Sequence, residues 1–345
     1  MITQRNSNIE LLRIISILMV LLLHFNNHGY YPGLVLFPDP LTAHLKTGFL
    51  IECFCIVAVN CFVLISGYFG INLKLRSVLK LFLQCFFIGL FSYLLYLCIT
   101  HRAVDSEVIG DLFYAFSHNK WWFVISYLGL MLVSPLLNAA VQTVSRKQLL
   151  ISILVFTAFL GYFGWYHDME HTDSGYSLIS LILIYLIGRY IGLYVSLDWI
   201  KRHRWCFAVG YVVGSLLLFG LILLRYGGNE INNIFGYDHP LVIINACLLL
   251  LFFLSLQFHS RVVNWIASSV FASYLIHESI YFGDQLLYPW SSEYFASLTS
   301  HSELWLLALA LGFLLLSVLI DKILALLSRP LLLLYDKLYR LICSA

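Results

Sequence analysis

The chain has 345 residues, of which 61% are hydrophobic and only 11% charged, with a formal net charge of +2 and a mean hydropathy of +0.87. That composition excludes a soluble globular domain and a disordered chain, and the near-zero charge gives no case for nucleic acid. It is the composition of an all-α polytopic membrane protein, because lipid forces backbone polar groups to pair within helices and the apolar runs here have helix length.

Ten apolar runs of about 20 residues lie near 9–27, 47–70, 76–100, 121–141, 148–167, 177–197, 204–225, 239–259, 262–282 and 303–325. The first carries two ionisable residues, Arg13 and His24. Eleven residues at about 100° each return almost to the same face, so both side chains share it, roughly 16 Å apart along the axis. An arginine near a span end can snorkel to the headgroups, whereas a histidine there faces the bundle interior, as part of a polar network or of a reaction centre. No small-x-small cleavage site follows, and Asn26, Asn27 and His28 come directly after the run, so it reads as an uncleaved first span.

Glu52 falls near one end of the second run, and Ser66-Gly67-Tyr68 near the other. Small residues there suit either close helix packing or backbone approach by a ligand, with Lys74, Arg76 and Lys80 just beyond as phosphate partners. The same cations also serve as a topological signal. Trp121-Trp122 opens the fourth run, where an aromatic belt is expected. Arg189 sits in the sixth, as a snorkelling cation or a phosphate partner. His167 and His171 are four apart but lie among Asp168, Glu170 and Asp173, which reads as a solvated segment with no metal site. In the ninth run, His277 and Glu278 fall at a depth comparable with His24, and the three would form a proton-handling site if their helices are neighbours. The eight cysteines fall mostly inside spans without ligand spacing and read as packing residues.

Ten spans put both termini on one side. Lys and Arg concentrate in the connections on that side, including Lys74, Arg76, Arg146, Lys147, Lys201, Arg202, Arg204 and Arg261, while the opposite loops hold only Lys46, Arg102, Lys120 and Arg225. The positive-inside rule then makes the N- and C-termini cytoplasmic. The last stretch, 328–345, alternates leucine clusters with Arg329, Asp336, Lys337 and Arg340, the pattern of an amphipathic helix on the membrane surface. The chain thus divides into a transmembrane domain, 1–327, and a C-terminal surface helix, 328–345.

These landmarks resemble the acyltransferase 3 family of bacterial membrane acyltransferases, which includes enzymes that O-acetylate surface polysaccharides. The similarity rests on Glu10-Leu11-Leu12-Arg13 followed by His24, on Phe62-Val63-Leu64-Ile65-Ser66-Gly67-Tyr68, on Trp122-Phe123 with Pro135 after it, and on Ser273-Tyr274-Leu275-Ile276-His277. Glu10 stands where many members carry aspartate, a charge-conserving departure. The resemblance implies ten core helices, an acyl-CoA donor, His24 and Arg13 as the essential pair with Glu10 beside them, and Ser66-Gly67 in the donor-binding region.

Acetyl-CoA is the expected co-substrate, with no metal. Its polyanionic end would stay with Arg13, Lys74 and Arg76 and its thioester would reach His24, since the pantetheine arm is about as long as the rise from Arg13 to His24. The imidazole would act as general base or carry the acetyl group itself, and Glu52, His277 or Glu278 would orient it. Trp122 and neighbouring aromatics, among them Tyr30 and Tyr31, would meet the acceptor, a lipid-linked glycan or exported polysaccharide, in the bacterial cytoplasmic (inner) membrane. Membrane lipids are further partners, and a homo-oligomer or polysaccharide-synthesis proteins are candidate assemblies. A transporter or flippase for lipid-linked sugars, or a non-catalytic subunit of polysaccharide export, is the alternative, in which the same charged residues would line a path.

Overall fold

The structure is a computed structural model of the 345-residue chain. It describes residues 6–30, 41–114, 116, 121–166, 173–225, 232–298 and 302–343; His167, His171 and Tyr31 lie outside them. The described residues are helical, with no strand among them.

Helix α1 (Ser7–Phe25) is the axis of the molecule. Around it pack α2 (Ala43–Cys55), α3 (Ala58–Phe69), α11 (Pro240–Ser255), α12 (Arg261–Ala267), α13 (Phe271–His277) and α15 (Ser302–Cys343). Neighbours on several sides place Arg13 and His24 inside the bundle instead of against lipid. The stretch Ala43–Phe69 is the most buried of the candidate spans and Arg146–Phe163 the least.

The outer ring comprises α4 (Leu75–Thr100), α6 (Trp122–Thr143), α7 (Arg146–Leu160), α8 (Leu178–Tyr194) and α10 (Arg204–Arg225), with the short α5 (Ser106–Leu112) and α9 (Leu197–Arg202) as connectors and α14 (Tyr288–Ser297) covering one end. Its outward faces are apolar, for instance Ile151, Leu154 and Val155 on α7 and Leu217 and Leu224 on α10. In water this would be a large aggregation-prone surface; in a bilayer it is the ordinary lipid contact.

Among the described residues, seven helical segments are long and apolar enough to cross a membrane, and α8 and α11 are apolar but shorter. Two predicted spans are not single helices. The run 47–70 is α2 and α3 joined by a turn at Ile56–Val57, and the run 262–282 is α12, α13 and the start of a π-helical segment, Ile280–Leu287. Serines make the second set of breaks: Ser279 Oγ donates to the Ile276 carbonyl at 2.8 Å and accepts from the Gly283 amide, competing with the helical ladder. The predicted tenth span and the surface helix are instead one helix, α15, unbroken through residues 327 and 328. Its 42 residues extend about 63 Å, twice a ~30 Å hydrocarbon core. Beyond Pro330 it is tied to the start of α4 by a bidentate pair, Arg76 Nε and Nη2 to the Asp336 carboxylate at 2.8 and 3.1 Å.

The tightest helix contact is α3 against α8, made by glycines. A Cβ on Gly67 would lie 2.3 Å from the Tyr185 carbonyl oxygen, and one on Gly188 would lie 2.4 Å from that of Leu64. Without a hydrophobic force between helices in lipid, such backbone approach supplies the dispersion that holds them. It brings Ser66 and Arg189 to the same end of the bundle as Arg13.

Candidate active site

His24 ends α1 pointing at the junction of α13, α14 and the π-helical turn Asn26–Tyr30. Its Nδ1 lies 2.5 Å from Glu278 Oε1 and 3.2 Å from Tyr288 Oη, and Tyr288 in turn donates to the same carboxylate oxygen. A carboxylate only accepts, so Nδ1 carries a proton, and in the neutral ring Nε2 is the nitrogen with the lone pair. His277, fully buried, has Nδ1 2.5 Å from the Ser273 carbonyl, which likewise fixes its proton on Nδ1 and turns Nε2 towards Glu278 Oε1 at 3.9 Å. The two imidazoles meet edge to face, centroids 4.9 Å apart. His28 stacks on Tyr288 at 4.0 Å. The side chains of His24 and Glu278 keep 26% and 15% exposure, so the pair is shielded without being sealed.

The local sequence explains this convergence. Glu278 is the C-cap of α13, its amide the last to reach back to the Tyr274 carbonyl, and Pro289 at the start of α14 returns the chain over the site. Phe313 of α15 backs His277 at 6.2 Å and Phe25 at 5.7 Å, filling the space behind the polar cluster.

Glu52 does not orient the imidazole directly. It accepts from Asn26 Nδ2 at 2.9 Å and Asn27 Nδ2 at 2.8 Å. It shares with His24 a cavity of about 250 Å3, whose wall includes Asn27, Tyr176 and Tyr237. Trp122 stacks on Tyr237 at 5.8 Å and contacts Tyr176 at 4.5 Å, lining a second space beside His24. The belt expectation fails for Trp121 as well. It is fully buried and donates its indole N–H to the Leu275 carbonyl at 3.2 Å, pinning α6 to α13.

The second space is narrow, about 30 Å3, and apolar: Ile17 and Val20 of α1, Val59 and Phe62 of α3, Phe123 of α6, Phe271 and Tyr274 of α13. Arg13, Ile17, Val20 and His24 follow one face of α1 at spacings of four, three and four. One turn beyond Phe62 and Phe123, outside that space, Ser66 Oγ meets Tyr127 Oη at 2.9 Å, and Arg13 is near enough to Tyr127 for the two to interact electrostatically. A line of side chains therefore joins the Arg13 end of the bundle to His24.

At that end Arg13 Nη1 pairs with Glu10 Oε1 at 3.2 Å. Glu10 precedes His24 by fourteen residues, about 21 Å of helix, so it cannot touch the imidazole; what it holds is the guanidinium. Gly67 gives its open side to the α8 backbone, and the Arg189 guanidinium rests against Gly70, whose φ of +77° suits glycine. Lys74 caps the start of α4 and Arg76 faces Asp336, so the cations share one end of the bundle without forming one cluster.

His24, His277 and Glu278 each offer a ligand atom within 4.8 Å of the others, and the three could hold a metal ion. The separation of 2.5 Å between Nδ1 and Oε1 is a proton-sharing distance, whereas ligands about 2.1 Å from a tetrahedral metal stand roughly 3.4 Å apart. Sequence reasoning placed His24, His277 and Glu278 at one depth but missed Tyr288, whose position after a long connection carried no signal. It also missed Asn26 and Asn27 as partners of Glu52, although two amides directly after an apolar run were a visible cue.

An acyltransferase domain family model matches residues 6–322, nearly the whole chain. The chain belongs to that family. It is a multi-pass membrane acyltransferase. No curated protein and no solved structure matches it.

Proposed function

We propose that this acyltransferase moves an acetyl group from cytosolic acetyl-CoA to a hydroxyl of a lipid-linked or exported surface polysaccharide, with His24 as general base. The observation that carries the reading is the His24–Glu278–Tyr288 cluster at one end of a narrow apolar space, with Ser66, Tyr127 and Arg13 about one turn beyond its other end. Orientation follows from the cationic connections, with both termini in the cytoplasm and His24 towards the outside of the inner membrane.

The CoA phosphates bind among Arg13, Lys74 and Arg189, cations that Coulomb attraction and bidentate geometry suit to them. Arg76 joins them only by leaving Asp336. Ser66 borders the lane's entrance, and Gly67 serves by letting α8 bring Arg189 close. The lane has room for about one water. The pantetheine arm therefore enters by parting Phe62 and Phe123, and no hydrated species follows it.

The acceptor waits in the larger cavity, against Glu52, Tyr176 and Tyr237, with Trp122 packed on both tyrosines. Its hydroxyl oxygen attacks the thioester carbonyl carbon while Nε2 of His24 takes the hydroxyl proton. As the imidazole becomes cationic, the Glu278 carboxylate on Nδ1 gains an ion-pair partner, so that bond strengthens in the transition state. The C–S bond then breaks and the imidazolium returns the proton to the leaving thiolate. Tyr288 holds the carboxylate in place, and His277, its Nδ1 committed to Ser273, walls the other side.

The test supplies radiolabelled acetyl-CoA to inside-out membranes carrying wild type, His24→Ala or Arg13→Ala and follows label into lipid-linked glycan. His24→Ala should lower transfer by about 10²- to 10⁴-fold, the usual weight of a general base. Arg13→Ala should raise the acetyl-CoA concentration needed for half-maximal rate. Label transfer that persists in His24→Ala removes the proposal, and wild-type membranes that move glycan without consuming acetyl-CoA favour a transporter.

A further inference from the structure

At the Arg13 end of the bundle, α4 and α15 part to leave a cleft of about 160 Å3 that the acyl-transfer reading does not use. Its lining is unusual for a lipid-facing seam, with both charge signs present: Lys80 and Gln84 from α4, Asp321 and Lys322 from α15, and Ser268 and Ser269 from the turn between α12 and α13. Asp321 is only 8% exposed, on an otherwise apolar stretch of helix, and one carboxylate oxygen accepts from Gln84 Nε2 at 2.7 Å. A carboxylate in a membrane helix is costly and marks a site that uses it. Lys322 Nζ reaches Ser268 Oγ at 2.5 Å and stands 4.9 Å over the ring of Trp265, which is half exposed at the same level. The indole and the lysines mark the depth of the headgroups.

We propose that this cleft binds the headgroup of an aminophospholipid, its phosphate between Lys80, Lys322 and the serine hydroxyls and its primary ammonium on the Asp321 carboxylate. At ~30 Å3 per water, the space equals about five waters, the scale of a small phosphoester headgroup and too small for a nucleotide. The buried carboxylate selects against a polyanion such as CoA, which would bring further negative charge to it, and favours a zwitterion. A primary ammonium offers three N–H donors to the carboxylate, whereas a trimethylated amine offers none. The acyl chains then lie along the exposed leucines of α15 on the bilayer side of Asp321, such as Leu315 and Leu319. Such a lipid would bridge α4 to α15 beside the turn that leads into α13, and so to Glu278.

The experiment is native mass spectrometry and thermal unfolding of the full chain in detergent with added phosphatidylethanolamine, phosphatidylcholine or phosphatidylglycerol. Phosphatidylethanolamine should be retained, and raise Tm, more than either of the others. Asp321→Asn should erase the advantage of phosphatidylethanolamine over phosphatidylcholine. Lys80→Gln, at an exposed position that leaves the fold intact, should lower retention of all three lipids by about fivefold, the weight of one half-solvated charged contact. Equal retention of phosphatidylethanolamine and phosphatidylcholine by wild type overturns the proposal. So does a preference that survives Asp321→Asn, and so does displacement of the lipid by acetyl-CoA.

Discussion

Replacing Glu278 by glutamine tests the reaction centre with the least disturbance of shape. The side chain keeps its size, and its amide oxygen still accepts from His24 Nδ1, now 2.5 Å from a carboxylate oxygen. What disappears is the negative charge facing the imidazole as it becomes cationic. Hydrogen bonds to charged groups contribute about 1.5–3 kcal/mol, and each ~1.4 kcal/mol in a barrier is tenfold in rate. Turnover should therefore fall by about 10- to 150-fold, with little change in the acetyl-CoA concentration for half-maximal rate, because Glu278 lies at the far end of the lane from Arg13. Initial rates of label transfer in inside-out vesicles, measured across acetyl-CoA concentrations and normalised to protein amount, give both quantities. An unchanged Tm excludes unfolding as the cause. Turnover within about threefold of wild type, under ~0.7 kcal/mol, would falsify the assignment of Glu278 as the partner that positions and charges the base.

Gly188→Leu forces a side chain onto the Leu64 carbonyl, 2.4 Å from where its Cβ would sit, and overpacking of this kind costs about 1–3 kcal/mol or more. Thermal unfolding in detergent should show a lower Tm and α8 should become more protease-sensitive, whereas Gly312→Leu, where an added Cβ meets nothing within 4 Å, should leave Tm unchanged. Phe62→Ala should widen the lane and raise the rate with butyryl-CoA relative to acetyl-CoA by about 10-fold or more, on the scale of one or two methylenes newly accommodated. A comparison of kcat/KM for the two donors decides it; an unchanged ratio places the donor arm elsewhere.

The first helix was legible because its information is local: the spacing of Arg13 and His24 on an apolar run fixes their shared face and separation without reference to any other segment. Lipid-exposed runs were legible for the same reason. The interruptions were not. Ser279 looks innocuous in the run 262–282, yet where the helix ends its hydroxyl donates to the Ile276 carbonyl and accepts from the Gly283 amide. Residue 24 meets residue 278 through the packing of α1 on α13, a contact between segments 254 positions apart. Gly67 showed the ambiguity in its plainest form. Packing and ligand approach both ask for a missing side chain, and only the position of α8 decides between them. Trp121 and Trp122 are adjacent and alike, yet one is a buried anchor and the other lines the narrow space beside His24, because Trp121 is the non-helical N-cap of α6 and Trp122 its first helical residue.

A passage with room for about one water, walled by phenylalanines, has an electrical meaning. Ions and hydronium need a continuous hydrated file to cross ~30 Å of low dielectric, and aromatic rings here interrupt it between the arginine and the histidine. On the proposed route, a reaction that joins a donor and an acceptor from two compartments runs in an energised membrane without draining its voltage or proton gradient.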